Sequence, residues 1–358
     1  MIPKTMNDVT ADWLGEVLGT DVSAIRFEQI GQGVGLMGDI FRVELDAAEG
    51  APASVVVKLP SSFEENRTQG VALGMFAAEV QFYNELAGEV PAGLPSIYHA
   101  DFDPETSDFV IVMEDLSNLS MVSQAQGMTT EQAMAAVSVL GQIHAVWRDQ
   151  VKAPRFEWIP TMDGPRISYV DELLTQIYPV FADGFADVLP AGGLELFEKF
   201  CGNYLAINSV LAARSPWTLN HQDYRVENLM FGPPGSGQVV VLDWQGIGLG
   251  PGAYDLAYVL SGSMETEPRR EAEPDLLAAY HGALTAGGVS GFPLDQLWED
   301  YRHAQLMGGL ATSVVTGGTL DLSNERGREL VATMARRHVT AALDHDGHAR
   351  IDAVIAGK

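Results

Sequence analysis

The first third of the chain contains short apolar segments with the period of strands and one segment with the period of a helix. Apolar and charged side chains alternate over residues 39–45, and this period of two predicts a β-strand. Residues 53–60 and 109–116 are nearly continuous apolar runs rich in valine, which is typical of buried strands. Apolar residues at spacings of three and four predict a helix over about residues 71–86. This part of the chain should therefore form a small sheet with one helix.

Helical periods predominate in the rest of the chain, which begins near Ser117. Thr129 or Thr130 is predicted to cap a helix whose apolar stripe includes His144, which we interpret as a core histidine with a hydrogen-bond partner. Residues 151–193 are rich in proline and aromatic side chains, have the weakest pattern, and are interpreted as a lid or a wall of an acceptor site. Further helices are predicted at about 194–213, which includes Cys201, and at about 271–287, 293–316 and 324–344.

Composition and charge favour a two-lobed enzyme over a nucleic-acid-binding or membrane protein. With 358 residues, 46% of them hydrophobic, the chain can form two lobes with a sizeable core. Its 48 acidic and 21 basic residues give a formal charge of −27, which disfavours nucleic acid and anionic membrane surfaces as partners. One cysteine excludes an internal disulfide, and neither a signal peptide nor a membrane-spanning stretch is indicated. We therefore expect a cytoplasmic enzyme.

A glycine-rich segment precedes the strand predicted at residues 39–45. Gly33, Gly35 and Gly38 match the pattern G-x-G-x-x-G, which dinucleotide-binding folds also contain. In those folds the glycine loop opens a helix, whereas here a predicted strand follows. The order therefore favours a hairpin that covers phosphate groups, as in kinases, with a simple glycine-rich turn as the alternative.

A single lysine, Lys58, lies inside the apolar run at residues 53–60. Burying its ammonium group is costly unless the group reaches a partner. Glu79, on the helix predicted at 71–86, is the candidate partner, and such a pair is what kinases place at the phosphates of the nucleotide. The alternative is a lysine at a sheet edge whose ammonium group reaches solvent.

The strongest chemical signal is the run His-Gln-Asp-Tyr-Arg-Val-Glu-Asn at residues 221–228, which contains Asp223 and Asn228. Fifteen residues after Asn228, Asp243 ends a second apolar run. This set suits phosphoryl transfer, in which one carboxylate receives the proton of the attacking hydroxyl. An amide and a second carboxylate then hold magnesium. For the loop alone, a turn with an Asx cap is the alternative.

Taken in order, these motifs resemble those of the aminoglycoside-phosphotransferase-like and ecdysteroid-kinase-like small-molecule kinases. The stretch Gly-Pro-Gly-Ala-Tyr-Asp-Leu-Ala-Tyr at 250–258 is similar to a turn that enters a helix in that family, and the resemblance covers about residues 25–262. Trp-Gln follows Asp243 where protein kinases have Phe-Gly, which favours the small-molecule branch. The resemblance implies an α+β, bilobal protein-kinase-like fold. Its ATP-binding lobe, an antiparallel sheet with one helix, would span 1–114, and its mainly helical catalytic and acceptor-binding lobe 115–358.

The resemblance also implies roles for individual residues. It makes Asp223 the base, Lys58 the phosphate anchor with Glu79 as its ion-pair partner, and Asn228 and Asp243 the magnesium ligands. The backbone of the glycine loop would approach the phosphates, and the backbone after the strand at 109–116 would read the adenine edge, although an ordinary core strand is the alternative there. The implied nucleotide-binding residues are Gly33, Gly35, Gly38, Lys58, Met113, Glu114 and Leu116.

Three further residues are expected to support the loop at 221–228. His221 is interpreted as a packing or hydrogen-bonding residue that supports Asp223. Asp255 is interpreted as a structural carboxylate that accepts backbone N–H groups of the loop. Arg225 is placed to contact phosphate or an acidic acceptor.

We therefore expect an enzyme that uses ATP and Mg²⁺ to phosphorylate a hydroxyl group of a small molecule. The alternatives are a kinase that modifies aminoglycoside or macrolide antibiotics and a non-catalytic nucleotide-binding pseudokinase. The acceptor, the hydroxyl group that is phosphorylated and the oligomeric state stay open. A partly apolar acceptor pocket is expected between residues 151–193 and a helix that carries Trp298, Tyr301, Arg302, His303 and Met307.

Overall fold

A five-stranded antiparallel sheet belongs to the first of two units into which the chain divides. The structure is a computed structural model, and it describes residues 2–31, 38–91, 93–319 and 325–357. The sheet unit comprises Met1–Val90, Leu94–Leu119 and Leu242–Gly246, and the helical unit comprises Pro91–Gly93, Ser120–Val241 and Ile247–Lys358. The α+β class is thus confirmed, whereas the lobe boundary between residues 114 and 115 stays a prediction.

The sheet unit places Lys58 in the middle of its sheet. The strands follow the order β1-β2-β3-β5-β4, and Lys58 of β3 lies opposite Ile40 of β2 and Ile111 of β5. An edge lysine is therefore excluded. Buried valines and leucines of β2, β3 and β5 form the core, each stabilising the fold by about 1.5–3 kcal/mol. The strands are β1 Val22–Ile30, β2 Gly38–Ala47, β3 Ser54–Pro60, β4 Ile97–Phe102 and β5 Phe109–Glu114.

The helix predicted at 71–86 is interrupted near its start. Helix α2 ends at Ala72 and α3 begins at Met75, because Gly74 adopts a left-handed conformation with φ +66° that a continuing helix does not allow. Glu79 lies on α3, as the apolar spacing predicts. The helices of this unit are α1 Ala11–Leu18, α2 Glu64–Ala72 and α3 Met75–Glu85.

The helical unit contains ten helices and five short strands within the described ranges. Thr129 caps α4 and forms a capping box with Gln132, as the sequence predicts. Across those ranges, no helix combines the length and apolarity that crossing a bilayer requires. The helices are α4 Thr130–Val146, α5 Pro165–Phe185, α6 Gly193–Phe200, α7 Tyr204–Arg214, α8 Ala253–Ser263, α9 Thr266–Ala286, α10 Leu294–Ala304, α11 Gly308–Thr319, α12 Glu325–Asp344 and α13 Gly347–Ala356. The strands are β6 Ser120–Met121, β7 Trp217–Asn220, β8 Leu229–Phe231, β9 Val239–Val241 and β10 Gly248–Pro251.

Two predicted helices of this unit are each broken in two. The helix predicted at 194–213 becomes α6 and α7, separated at Gly202, where φ is +83°. Cys201 therefore lies at the end of α6 and not within a helix, and burial raises the pKa of its thiol to about 12. The helix predicted at 293–316 likewise becomes α10 and α11.

The weakly patterned segment 151–193 contains the 21-residue helix α5. Proline is tolerated in the first turn of a helix, where Pro165 lies, but Pro179 lies inside α5 and obscures the helical pattern. Packing against α11 stabilises α5 despite this proline. A Cβ atom on Gly317 of α11 would lie 2.7 Å from the ring of Phe181 of α5, so the two helices approach closely. This packing makes α5 part of the core of the helical unit.

Candidate functional site

Lys58 of the sheet unit is held between two carboxylates. Its Nζ lies 2.7 Å from Oε2 of Glu79 on α3 and 2.7 Å from Oδ1 of Asp243, which follows β9 in the chain. The three side chains are 7%, 1% and 21% exposed, respectively. The structure thus brings Lys58 together with two residues that lie 21 and 185 positions from it in the chain.

One ammonium group cannot compensate for two carboxylates, and the pKa values reflect this. Burial alone would lower the pKa of Lys58, but the charges of Asp243 and Glu79 outweigh it and raise that pKa. Burial and the charge of Asp243 raise the pKa of Glu79 to about 7, although Lys58 opposes the shift. With all three groups ionised the cluster has a net charge of −1, and a further cation beside it would favour the ionised form of Glu79.

Asp243 is fixed by the residue that follows it. The indole of Trp244 stacks on the ring of Phe82 with centroids 4.0 Å apart and planes 9° from parallel, and both side chains are buried. Phe82 lies three residues after Glu79, so α3 both carries the ion-pair partner of Lys58 and packs against the neighbour of Asp243. Asp243 itself has φ +66°, an uncommon conformation that this packing maintains.

The loop at 221–228 lies in the helical unit and is anchored by Asp255 of α8. The carboxylate of Asp255 accepts the backbone N–H groups of His221 at 2.6 Å and Gln222 at 2.9 Å. It also lies 3.3 Å from Nε2 of His144, whose Nδ1 is 2.7 Å from the hydroxyl of Tyr280. The structural interpretation of Asp255 and the interpretation of His144 as a core histidine are both confirmed.

Replacing Asp255 with asparagine is expected to lower the free energy of unfolding by about 1.5–3 kcal/mol, because hydrogen bonds to a buried charged acceptor would be lost. Urea denaturation measures this change. Asp171→Asn is the matched control, since Asp171 is half-buried and accepts one backbone N–H, that of Tyr204. An Asp255 variant no less stable than this control would contradict the anchoring role.

Asp223 receives hydrogen bonds on both carboxylate oxygens. Oδ2 accepts from Nδ2 of Asn228 at 2.9 Å and from Nε of Arg225 at 3.3 Å, while Oδ1 accepts from the hydroxyl of Tyr258 at 3.0 Å. His221 supports the loop as predicted, since its Nδ1 accepts the backbone N–H of Asp223 at 3.2 Å. The side chain of Asp223 is 34% exposed, so a substrate can still reach it.

The donor atoms present are of the kind that Mg²⁺ prefers. Nδ2 of Asn228 also donates to the backbone oxygen of Asp223 at 2.8 Å, so Oδ1 is the atom of this amide that can bind a cation. The carboxylate of Asp243 supplies further oxygen ligands, and Mg²⁺ binds oxygen from one or two carboxylates together with water and phosphate. Within the described ranges, no group of three or more His, Cys, Asp or Glu side chains is arranged to hold a metal. Asn228 in the helical unit and Asp243 in the sheet unit each offer oxygen donors of this kind, and their role as metal ligands stays a prediction.

Arg225 is a fixed cation beside Asp223. Its Nη1 donates to the carboxylate of Glu227, and that carboxylate also accepts the backbone N–H of Gln124 at 3.0 Å. Burial would lower the pKa of Arg225, but the neighbouring charges of Asp223 and Glu227 raise it. Its contact with phosphate or an acidic acceptor stays a prediction.

The residues expected at the adenine lie at the end of β5. Met113 and Leu116 are buried. The N–H of Glu114 donates to the backbone oxygen of Ser96 at 2.9 Å, and the N–H of Ser96 donates to Oε2 of Glu114 at 3.1 Å. Gly38 starts β2, where a Cβ atom would lie 2.7 Å from the oxygen of Leu59, so only glycine fits. Gly33 and Gly35 lie outside the described residues.

The predicted contribution of Tyr301, His303 and Met307 to an acceptor pocket is wrong, whereas that of the half-buried Trp298 and Arg302 stays a prediction. Tyr301 is fully buried and donates to Glu273 at 2.7 Å, and Nε2 of His303 contacts the oxygen of Ile207 at 2.9 Å. Met307 is also fully buried. These side chains are core residues of the helical unit, because their apolar neighbours and internal partners satisfy them completely.

Tyr258 was not indicated by the sequence as a neighbour of Asp223. It lies in the family-like stretch 250–258, where only Asp255 carries an evident chemical signal. The contact spans 35 residues, so no local period reveals it. The stacking of Trp244 on Phe82 is not evident from the sequence for the same reason, because the two residues are 162 positions apart in the chain.

A family model and a curated protein match this chain. The model of the ecdysteroid kinase-like family matches residues 32–287, which is more than half of the chain. The uncharacterized oxidoreductase dhs-27 of Caenorhabditis elegans is 26% identical over 351 residues, a match that covers 85% of this chain and 41% of that protein. The chain therefore spans less than half the length of this curated relative.

Solved structures of phosphotransferases share the fold. A candidate aminoglycoside phosphotransferase of Ralstonia eutropha is 15% identical with a TM-score of 0.55, and the match covers 93% of this chain and 97% of that one. The choline kinase LicA of Streptococcus pneumoniae is 14% identical with a TM-score of 0.54, over 95% of this chain and 99% of that one. At such identities the likeness establishes the fold alone, and the expected kinase-like fold is confirmed.

Proposed function

The chain belongs to the ecdysteroid kinase-like family, a family of small-molecule kinases, and from this premise we propose that it transfers the γ-phosphoryl group of Mg-ATP to a hydroxyl group of a small molecule. The observation that carries the proposal is the environment of Asp223. Its carboxylate has donors on both oxygens yet is partly exposed, on a loop whose backbone is anchored by Asp255. This is the environment of a side chain that orients a substrate group and receives its proton.

In the proposed reaction, Asp223 accepts the proton of the acceptor hydroxyl. The oxygen of that hydroxyl forms a bond to the γ-phosphorus, while the bond between the γ-phosphorus and the leaving oxygen of ADP breaks. Mg²⁺, when bound, neutralises the charge of the phosphates. Oδ1 of Asn228 and the carboxylate of Asp243 are the groups that would hold this metal. Lys58, oriented by Glu79, binds the phosphates, and the described donors keep Asp223 in one orientation toward the acceptor.

The adenine is proposed to contact the backbone that follows β5. Glu114 already uses its N–H within the sheet, whereas the N–H of Leu116 has no partner among the described residues. A backbone N–H group without a partner is available to a ligand that accepts a hydrogen bond there. Leu116 is therefore proposed to donate to the base, beside the buried side chain of Met113.

The surroundings of Asp223 do not exclude a cationic acceptor. Among the described residues, its side-chain contacts are an amide, a phenol and the guanidinium of Arg225. Arg225 is in turn paired with the carboxylate of Glu227, so the charges of Asp223, Arg225 and Glu227 sum to −1. This net charge admits a cationic acceptor as well as a neutral one, so a kinase that modifies aminoglycoside or macrolide antibiotics is the second candidate.

The test is ADP release from Mg-ATP across a panel of hydroxylated acceptors. The panel contains aminoglycosides, macrolides, amino alcohols, sugars, sterols and hydroxyacyl thioesters, each measured with the wild type and with Asp223→Asn. Release that requires an acceptor and is lost in the variant is expected. Release driven by aminoglycosides or macrolides would favour the second candidate, and the absence of both release and ATP binding would overturn the kinase itself.

A further inference from the structure

Helix α8 contacts the loop at 221–228 at two points. Asp255 accepts backbone N–H groups of His221 and Gln222, and Tyr258 donates its hydroxyl hydrogen to Oδ1 of Asp223 at 3.0 Å. Residues three apart in a helix lie on the same face, so the two contacts are made by one face of α8. The helix thereby fixes the backbone of the loop and the side chain of Asp223 relative to each other.

Tyr258 is itself firmly placed. It is 3% exposed, and its ring lies parallel to that of Tyr254 with centroids 6.4 Å apart and against His338 at 5.4 Å. The hydroxyl of Thr312 lies 3.5 Å from the Tyr258 oxygen and can donate to it. Burial and the charge of Asp223 raise the pKa of Tyr258, so the phenol keeps the proton that it donates.

The hydroxyl group is the part of Tyr258 that forms the hydrogen bond to Asp223. Phenylalanine would fill nearly the same space and keep the ring contacts with Tyr254 and His338. It would leave Oδ1 of Asp223 without its donor, while Asn228 and Arg225 would still hold Oδ2. A carboxylate held on one oxygen only can rotate about its χ2 bond, which has a broad, roughly two-fold profile.

We propose that Tyr258 is a positioning residue for phosphoryl transfer: its hydroxyl locks the Asp223 carboxylate so that Oδ1 is presented to the acceptor. The inference rests on the proposed function, since it assigns to Asp223 the role of base. Tyr258 acts through Asp223 and does not touch the substrate. One lone pair of Oδ1 accepts from Tyr258, and the other remains to receive the acceptor proton.

The experiment compares Tyr258→Phe with Tyr301→Phe. Tyr301 is a matched control because its buried hydroxyl also donates to a carboxylate, that of Glu273, in the core of the same unit. The probe is Mg-ATP with water as the acceptor, and ADP release gives kcat and the KM for ATP. Tyr258→Phe is expected to lower kcat by about 10- to 100-fold with the KM unchanged. Tyr301→Phe is expected to change neither.

A second measurement needs no ligand. Tyr258→Phe should lower the Tm more in the wild type than in an Asp223→Ala background, because only the wild type offers the carboxylate partner. Equal Tm shifts in both backgrounds would overturn the positioning role alone. The same holds if Tyr258→Phe has the kcat of Tyr301→Phe while Asp223→Asn abolishes ADP release. Full ADP release by Asp223→Asn would overturn the proposed function and this inference with it.

Discussion

Replacing Asp223 with asparagine is expected to lower kcat for acceptor phosphorylation by about 10²- to 10⁴-fold, because an amide cannot accept the proton of the attacking hydroxyl. The variant also changes the hydrogen bonding at the site. Asn228 and Arg225 donate to one carboxylate oxygen and Tyr258 donates to the other, so an amide NH₂ group would face a donor in either orientation. Loss of catalysis should therefore combine a missing base with a misplaced side chain.

Nucleotide binding separates a catalytic effect from a general one. The residues proposed to bind the phosphates and adenine, Lys58 and Leu116, lie in the sheet unit, whereas Asp223 lies in the helical unit. Affinity for ATP, measured by titration with Mg-ATP and a thermal-shift readout, should be close to that of the wild type. Equal losses of ATP affinity and kcat would contradict the assignment of Asp223 as the base.

Asp223→Ser is a useful companion variant. A serine is too short to meet Tyr258 and Asn228 as the carboxylate does, yet it introduces no opposing NH₂ group. If the missing base dominates, both variants should be inactive to a similar extent. A clearly more active serine variant would show that the misplaced donors, and not the proton acceptor, limit the asparagine variant.

The parts of the site that could be predicted from the sequence are those with a local signal. Lys58 is a single charge in an apolar strand, Asp223 and Asn228 belong to one short loop, and Asp243 ends a second apolar run. The burial of Lys58 between Glu79 and Asp243 agrees with the cost of an unpaired buried ammonium group. The catalytic and nucleotide-binding roles of these residues stay predictions.

The parts that could not be predicted depend on contacts between distant segments. The hydroxyl of Tyr258 reaches Asp223, and Trp244 stacks on Phe82, only because helices α8 and α3 are placed by packing. No period within a single segment contains that information. Tyr301 and His303 form hydrogen bonds within the core of the helical unit. In a sequence, such aromatic and polar core residues look the same as residues that line a binding pocket.

Helix boundaries depended on backbone conformation in the same way. Gly74 and Gly202 each adopt positive φ and end a helix within an otherwise helical apolar pattern. Pro179 had the opposite effect, because it made α5 look irregular although packing against α11 keeps the helix continuous. In this chain, glycine at positive φ ends helices, whereas proline inside α5 does not.

Replacing Lys58 with methionine is expected to abolish phosphoryl transfer and to destabilise the sheet unit by about 3–5 kcal/mol, because the change leaves Glu79 and Asp243 as buried carboxylates without a cation. Nζ of Lys58 lies 2.7 Å from both, and Glu79 is almost fully buried. Burial already raises the pKa of Glu79 to about 7. Protonation of this carboxylate therefore limits the loss of stability. Urea denaturation measures the stability, and ADP release measures the activity.

The double variant Lys58→Met with Glu79→Gln separates the two consequences. Glutamine removes the more deeply buried of the two charges, so most of the lost stability should return. Activity should stay absent, because the phosphates still lack their ammonium group. A single variant as stable as the wild type would contradict the electrostatic account of the cluster. Recovery of activity along with stability would mean that Lys58 serves the fold and not the nucleotide.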